Sequence, residues 1–470
     1  MAGNDDDDAQ RGRRRIASIV HAPGEDGGDR LTWSEPAHLA AAVADESEPW
    51  WRRRTCVFAL RDRIHEELVP PLWARVEDDG DVAEVRVALL DVLGSWWASQ
   101  AGRASESRAK ALTWLRGRNL DALSYGMDQA VILARCKLGD LEAVSALAKL
   151  AFDPWHHRIR TAEQGATALF AAVRLDEVLA VLGAKTVPEL VTSGATAADR
   201  HFGLLCLAEG PPNPAVLIRA LRDRNVVVAG VAARHLQDAE IDDEVLLAAF
   251  DEHADALRAS ASAPPPLTGR AAAAAWALIV ASRRIDPQRL PARGEPECDA
   301  RAQAIHERLD QLGDATLAHP AVPADVRIAI LEAYLPGERS TDPRLLLEGL
   351  RLGHREDDAQ PENPERAREA LASIGLEVGE ATEIGEKYQQ GGGSYGVFDV
   401  SGGSVSVCTF GPFVRAVHSL PEAAITAVEQ AGFRWIDDEL AEHVFDGLPV
   451  YFFGSREPLR VSDLLFYWQD

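Results

Sequence analysis

From about Leu31 to Leu352 the apolar positions recur at helical spacing. In "DVAEVRVALLDVLGSWW" (81–97) Val85, Leu89, Val92 and Trp96 form one stripe. In "DLEAVSALAKLAFD" (140–153) Leu141, Val144, Leu147, Ala148 and Ala151 form another, with Pro154 following as a stop. "PAVLIRALRDRNVVVAGVAARHL" (214–236) carries two stripes broken at Asp223–Asn225, and "PADVRIAILEAYL" (323–335) carries one more. The pattern predicts helix after helix.

The acid- and proline-rich "HREDDAQPENPE" (354–365) interrupts this regime. Beyond it, short runs predict strands over Tyr395–Val400, Val405–Phe410, Phe433–Ile436 and Leu448–Phe453. A helix is expected from about Leu420 to Ala431, with Ser419 as N-cap, Glu422 closing a capping box and Gly432 past its end. The expected fold is mainly α, a helical array followed by a small C-terminal α+β domain. Its divisions are a charged tail (1–30), the array (31–352), a linker with a helix (353–375) and the α+β domain (376–470).

The helical segments resemble one another. "Val/Ile-Arg" helix starts occur at Val85–Arg86, Ile159–Arg160 and Val326–Arg327, with Val227–Val228 as a degenerate copy. Their separations fit whole multiples of roughly 33–37 residues, a period typical of stacked helical repeats. With Asp81, Asp153, Asp223 and Asp325 near the turns, the chain resembles a HEAT-repeat (armadillo-like) α-solenoid over residues 31–352. The resemblance implies helix pairs stacked into a superhelix, Asp–Arg pairing within or between repeats, and a long surface that binds proteins. It departs at Val228, where the arginine is missing, and in the Pro/Gly-rich stretches 264–269 and 286–296. It carries no reaction with it.

Composition narrows the partners. The 470 residues include 74 acidic and 49 basic side chains, a net charge of −25. Such a chain repels phosphate backbones and anionic lipid, so a protein partner, a basic one in particular, fits better than nucleic acid or membrane. Five dispersed cysteines without a CxxC pair argue against a disulfide framework or zinc site and for a reducing, cytoplasmic compartment. No apolar signal-peptide core precedes the array, and the longest apolar run, Ala271–Ala281, is too short to span a membrane and predicts a buried helix. Arginine far outnumbers lysine, in keeping with a GC-rich prokaryotic genome. "NDDDDAQRGRRR" reads as a solvated tail.

Candidate chemistry centres on "IGEKYQQGGGSYGVF" (384–398). Gly391-x-Gly393-x-x-Gly396 resembles a kinase glycine-rich loop, but no lysine follows Lys387 and nothing matches the catalytic or magnesium-binding motifs. A phosphate-binding P-loop would need Gly-Lys-Ser/Thr, and a dinucleotide site would need a helix where "VFDV" predicts a strand. Gly392-x-Ser394-x-Gly396 has the spacing of a nucleophile elbow. His418 or His443 with Asp437, Asp446 or Asp463 would complete a triad, and Cys408 is an alternative nucleophile. A hydrolase or thiol enzyme around Ser394, Cys408 and His443 is therefore the rival to a non-catalytic scaffold, adaptor or immunity-type inhibitor. No cofactor or metal is expected: the adjacent His156 and His157 of "DPWHHRIR" lack a ligand at helical spacing.

Partner-binding candidates are the acids of "WIDDELAEHVFD", namely Asp437, Asp438, Glu439, Glu442 and Asp446, and one ring from each tryptophan doublet, Trp51 and Trp97. HEAT-like DNA-repair glycosylases also use exposed tryptophans, but the scarcity of lysine and the net charge weigh against that chemistry here.

Overall fold

The apolar stripes are helices in the structure: Ala83–Ala98, Val144–Ala151 behind a single tight turn (Leu141–Ala143), Pro214–Ala220, Val226–Gln237 and Ala324–Tyr334. Local chemistry explains the break at 223–225. The Asn225 side chain accepts hydrogen bonds from the Val227 and Val228 N–H groups, satisfying donors that a new helix start leaves open. The computed structural model describes residues 12–21, 31–124, 126–153, 156–208, 213–260, 266–287, 290–313, 317, 319, 321–334, 342–352, 360–388, 392–400, 403–448, 450–453 and 457–469.

The chain divides into two compact units, Met1–Pro211 and Pro212–Asp470. In the first, each helix packs on near neighbours in sequence. Ala83–Ala98 lies against Trp50–Ala59 and Met127–Lys137, and the latter lies against His156–Ala172. Polar ties repeat along this stack. Arg53 reaches Asp81, Arg61 reaches Asp91 and Arg158 reaches Asp128, each pair 28 to 30 residues apart in sequence. Arg108 makes the same reach to the Leu138 carbonyl.

Two ion-pair nodes lie in the interior. Arg53 grips Asp81 with both nitrogens, at 2.8 and 2.5 Å, and also donates to the Val43 carbonyl. Asp140 is buried, accepts from Arg116 and Arg135 at 2.7 Å each, and caps the turn at Leu141 through the Glu142 N–H. Burial alone would raise both carboxyls. The arginine hydrogen bonds and charges outweigh it, so Asp81 and Asp140 sit below their ordinary value of 3.8.

The pairing differs in detail from what the repeat resemblance implies. Arg86 turns to Asp79, Asp153 pairs with Arg158, Asp325 meets Arg434, and Arg327 pairs with the buried Glu348. The N-terminal tail also needs correction. Residues 12–19 form a helix that sinks Ile16 and Val20 into the core beside Leu31 and Leu39, and the Val20 carbonyl accepts from Arg52. The arginines mask two apolar side chains at helical spacing.

In the second unit the helix Gly269–Ile285 is the centre, with Ala271 to Ser282 buried on every side. It packs against Val226–Gln237, Asp243–Asp251, Ala254–Ala259 and Pro343–Leu352. The strands are β1 (Thr382–Glu383), β2 (Gly392–Gly393), β3 (Tyr395–Val400), β4 (Gly403–Cys408), β5 (Phe413–Ala416), β6 (Arg434–Trp435), β7 (Val444–Phe445), β8 (Leu459–Arg460) and β9 (Trp468–Gln469). Five form a sheet in the order β1-β3-β4-β5-β6, antiparallel except for β5–β6, while β2–β9 and β7–β8 form separate pairs.

Helices Asn363–Ser373 and Glu422–Gln430 pack Ala367, Leu371, Ala424 and Val428 against Phe398, Val400, Val405, Val407 and Val414 of the sheet. A second cluster joins Cys408, Phe413, Phe445 and Leu464 to Val326, Ile330 and Leu345 of the preceding helices. The sheet region and the last long helices therefore share apolar core.

Two local expectations fail. The described residues of 448–453, which exclude Pro449, form no regular strand, and the Ser419 capping box does not form. Pro421 takes an extended conformation at the N-cap, so the helix starts at Glu422 without a side-chain cap. Gly432, at φ 88°, ends that helix as expected.

Because Asp81 and Asp140 titrate below their ordinary value, their stabilisation is fully present above pH 3.8 and is lost as the pH falls through their lower folded values. Asp140→Ala leaves Arg135 buried without its carboxylate and is expected to cost about 3–5 kcal/mol in urea unfolding. The same variant should show a shallower acid-unfolding limb.

Candidate functional site

The glycine segment is built into the fold by its neighbours. β2 pairs with β9, Gly393 opposite Trp468. A side chain at Gly393 would collide with Ile384 and the Tyr467 carbonyl, and one at Gly396 would sit 2.6 Å from Pro364 Cγ. Both glycines thus allow helices, Ile384–Tyr388 and Asn363–Ser373, to approach the strands. Gly391, the first glycine of the phosphate-loop spacing, lies outside the described residues.

Ser394 is half-buried, and its hydroxyl is occupied by the C-terminal segment. Oγ donates to the Leu465 carbonyl at 3.1 Å and accepts from the Tyr467 N–H at 2.8 Å. Its own N–H donates to the Tyr467 carbonyl at 2.8 Å. It fastens residues 465–467 to β2 and β3, where an elbow serine would stand exposed between strand and helix. Cys408 is fully buried at the end of β4, and burial pushes its thiol up to about 12. Near it Tyr334 donates to the Leu464 carbonyl at 2.6 Å, and burial raises its hydroxyl far above the ordinary value.

His443 is half-buried after the short helix Asp438–Ala441, with its carbonyl accepting from Val461. His418 is exposed, and Asp463 accepts from the Arg460 N–H at a helix start. Among the described residues no hydrogen bond or ion pair joins the side chains of Ser394, Cys408 and His443. No group of three or more His, Cys, Asp or Glu there could hold a metal. His157 lies in the first turn of the helix His156–Ala172.

The acids proposed for recognition divide by task. Asp437 caps the short helix through the Leu440 N–H, Asp438 lies 3.5 Å from Arg415, and Glu442 pairs with Arg460 at 2.9 Å. Glu439 is exposed. Asp446 is half-buried, and its carbonyl accepts from His319, whose ring stacks on Phe445 at 4.1 Å. A second acidic run, absent from the expectation, is exposed at Glu377, Glu380, Glu383 and Glu386.

Trp97 is not a surface anchor. It is 0% exposed, donates to Ser107 Oγ and packs edge-on against Trp73. Of that doublet Trp96 is the half-exposed ring, because the helix turns position 97 inward. Trp51 is half-buried against Trp50. Among the described residues the exposed indole is Trp33, 80% exposed just before the helix Pro36–Ala44. Its single occurrence, outside any stripe, was the signal available in sequence.

The second unit also has a shallow concavity of about 800 Å³ lined by Ile218, Ile241, Val245, Glu240, Asp242 and Arg284. No protein-family model matches the chain, and no curated protein matches it.

In these placements Ser394 ties down the C-terminal segment and Cys408 fills the core. Ser394→Ala leaves the Tyr467 N–H without its acceptor and should lower unfolding free energy by about 1–3 kcal/mol. In the native chain Cys408 should resist thiol alkylation at neutral pH and react only after denaturation, as followed by peptide mass mapping.

Proposed function

We propose that this protein is a non-catalytic protein-binding scaffold, an adaptor or immunity-type inhibitor acting in the cytoplasm. In this reading residues 31–352 form a HEAT-like α-solenoid, and the acidic C-terminal region contributes to binding a basic protein partner. The observation that carries it is the series of polar ties between helices 28 to 30 residues apart. Stacked helix pairs with nearest-neighbour ties share a continuous core and leave extended outer surfaces, which such arrays use for protein recognition.

Further observations support it. The charge of −25 favours a basic partner through long-range steering. The candidate nucleophiles are engaged structurally, Ser394 on backbone groups and Cys408 in the core. Among the described residues no helix is long and apolar enough to cross a membrane. Cys56, Cys136 and Cys408 are free and buried, which suits a reducing compartment.

The test is calorimetric titration of the full chain with purified products of the genes adjacent to its own. A basic product is expected to bind with an affinity that falls as salt rises. Failure of every such product to bind, or selective modification of native Ser394 or Cys408 by serine- or thiol-directed probes, would overturn the proposal.

A further inference from the structure

The concavity of the second unit carries charge of both signs beside apolar side chains. Ile218 and Ile241 are half-buried there, and Val245 is 44% exposed. Such a surface gains from an apolar group that covers it. Arg284, in the last turn of the helix Gly269–Ile285, lines the same concavity with 19% of its side chain exposed. Among the described residues that side chain makes no hydrogen bond, and its Nη1 is buried without a partner. Its ion-pair contact is Asp243, with Nε 3.8 Å from Oδ1. The other oxygen of Asp243 accepts from Arg301 at 2.5 Å. Two guanidinium groups thus share one carboxylate, which leaves a positive charge at this part of the concavity.

The remaining lining charges are negative. Glu240 and Asp242 are exposed, and neither forms an ion pair among the described residues. Asp242 stands at the N-cap of the helix Asp243–Asp251, yet its side chain makes no cap hydrogen bond. A ligand that matches this lining brings an apolar side chain, a carboxylate for Arg284 and a cation for Glu240 and Asp242. The end of a polypeptide carries the first two on one residue, so only one residue has to be ordered to make both contacts. A basic side chain just before it supplies the third. An internal acid beside an apolar residue would have to order two side chains for the same contacts.

We propose that this concavity docks the C-terminus of a basic protein partner, its apolar last residue against Ile218, Ile241 and Val245 and its carboxylate on Arg284. This site rests on the basic-partner reading and specifies which part of that partner is held.

The test titrates the full chain with acetyl-Lys-Lys-Leu and with the same peptide as its C-terminal amide. The carboxylate form should bind about tenfold tighter, the loss of one charge-assisted contact in the amide. Attraction to the chain's overall charge would instead favour the amide, the more cationic of the two. Arg284→Gln should bring the two forms to equal affinity, a readout that lost stability alone does not produce. Val245→Ser, a surface change, should weaken the leucine peptide about threefold and leave an alanine-ended peptide unchanged. Asp242→Asn should weaken both forms and reduce the salt dependence of binding. An amide that binds as tightly as the carboxylate would overturn this site and leave the basic-partner reading intact. A carboxylate preference that survives Arg284→Gln, or unchanged leucine affinity in Val245→Ser, would do the same. Binding of neither form would also overturn the site, and the basic-partner reading falls with it only if the products of the adjacent genes fail to bind as well.

Discussion

A carboxylate buried between two guanidinium groups is the constraint on which the first unit depends. Asp140 has no route back to water, so its charge is tolerable only while Arg116 and Arg135 hold it. Arg53 and Asp81 repeat that bargain one layer earlier in the chain. Each such pair orients two helices at once, because a bidentate guanidinium accepts little rotation. Apolar stripes supply most of the driving force for stacking but slide easily. The ion pairs and backbone-directed arginines select one register among many of similar apolar burial.

The second unit solves a different problem. Gly269–Ile285 is apolar around its whole circumference, which demands neighbours on every side. The sheet region then completes the burial of the last helices through Phe413, Phe445 and Leu464. Ser394 and the β2–β9 pair close this part by fixing the C-terminal segment. Gly393 and Gly396 are steric permissions for close packing, and Ser394 is bound to backbone groups where an elbow serine would stand exposed.

How far the sequence was legible depends on whether a feature was local. The stripe at Val85, Leu89 and Val92 and the break at Asn225 were readable because helix periodicity and capping act within a few residues. β3 was readable for the same reason. Ser419 misled because a capping pattern ignores the conformation that Pro421 imposes between cap and helix. The doublet Trp96–Trp97 showed that one ring is inward, while only the helix's rotation against Trp73 and Ser107 decided which.

The sequence by itself determined the helical character of the chain, its acidity and the change of regime near residue 360, since spacing and composition express these directly. Tertiary structure decided which charges are buried, which arginine each aspartate meets, and that Ser394 binds backbone groups 71 and 73 residues away. It also placed Phe453 beside Trp468. Pairings between distant segments depend on register and packing summed over many residues, and no short stretch of sequence contains that sum.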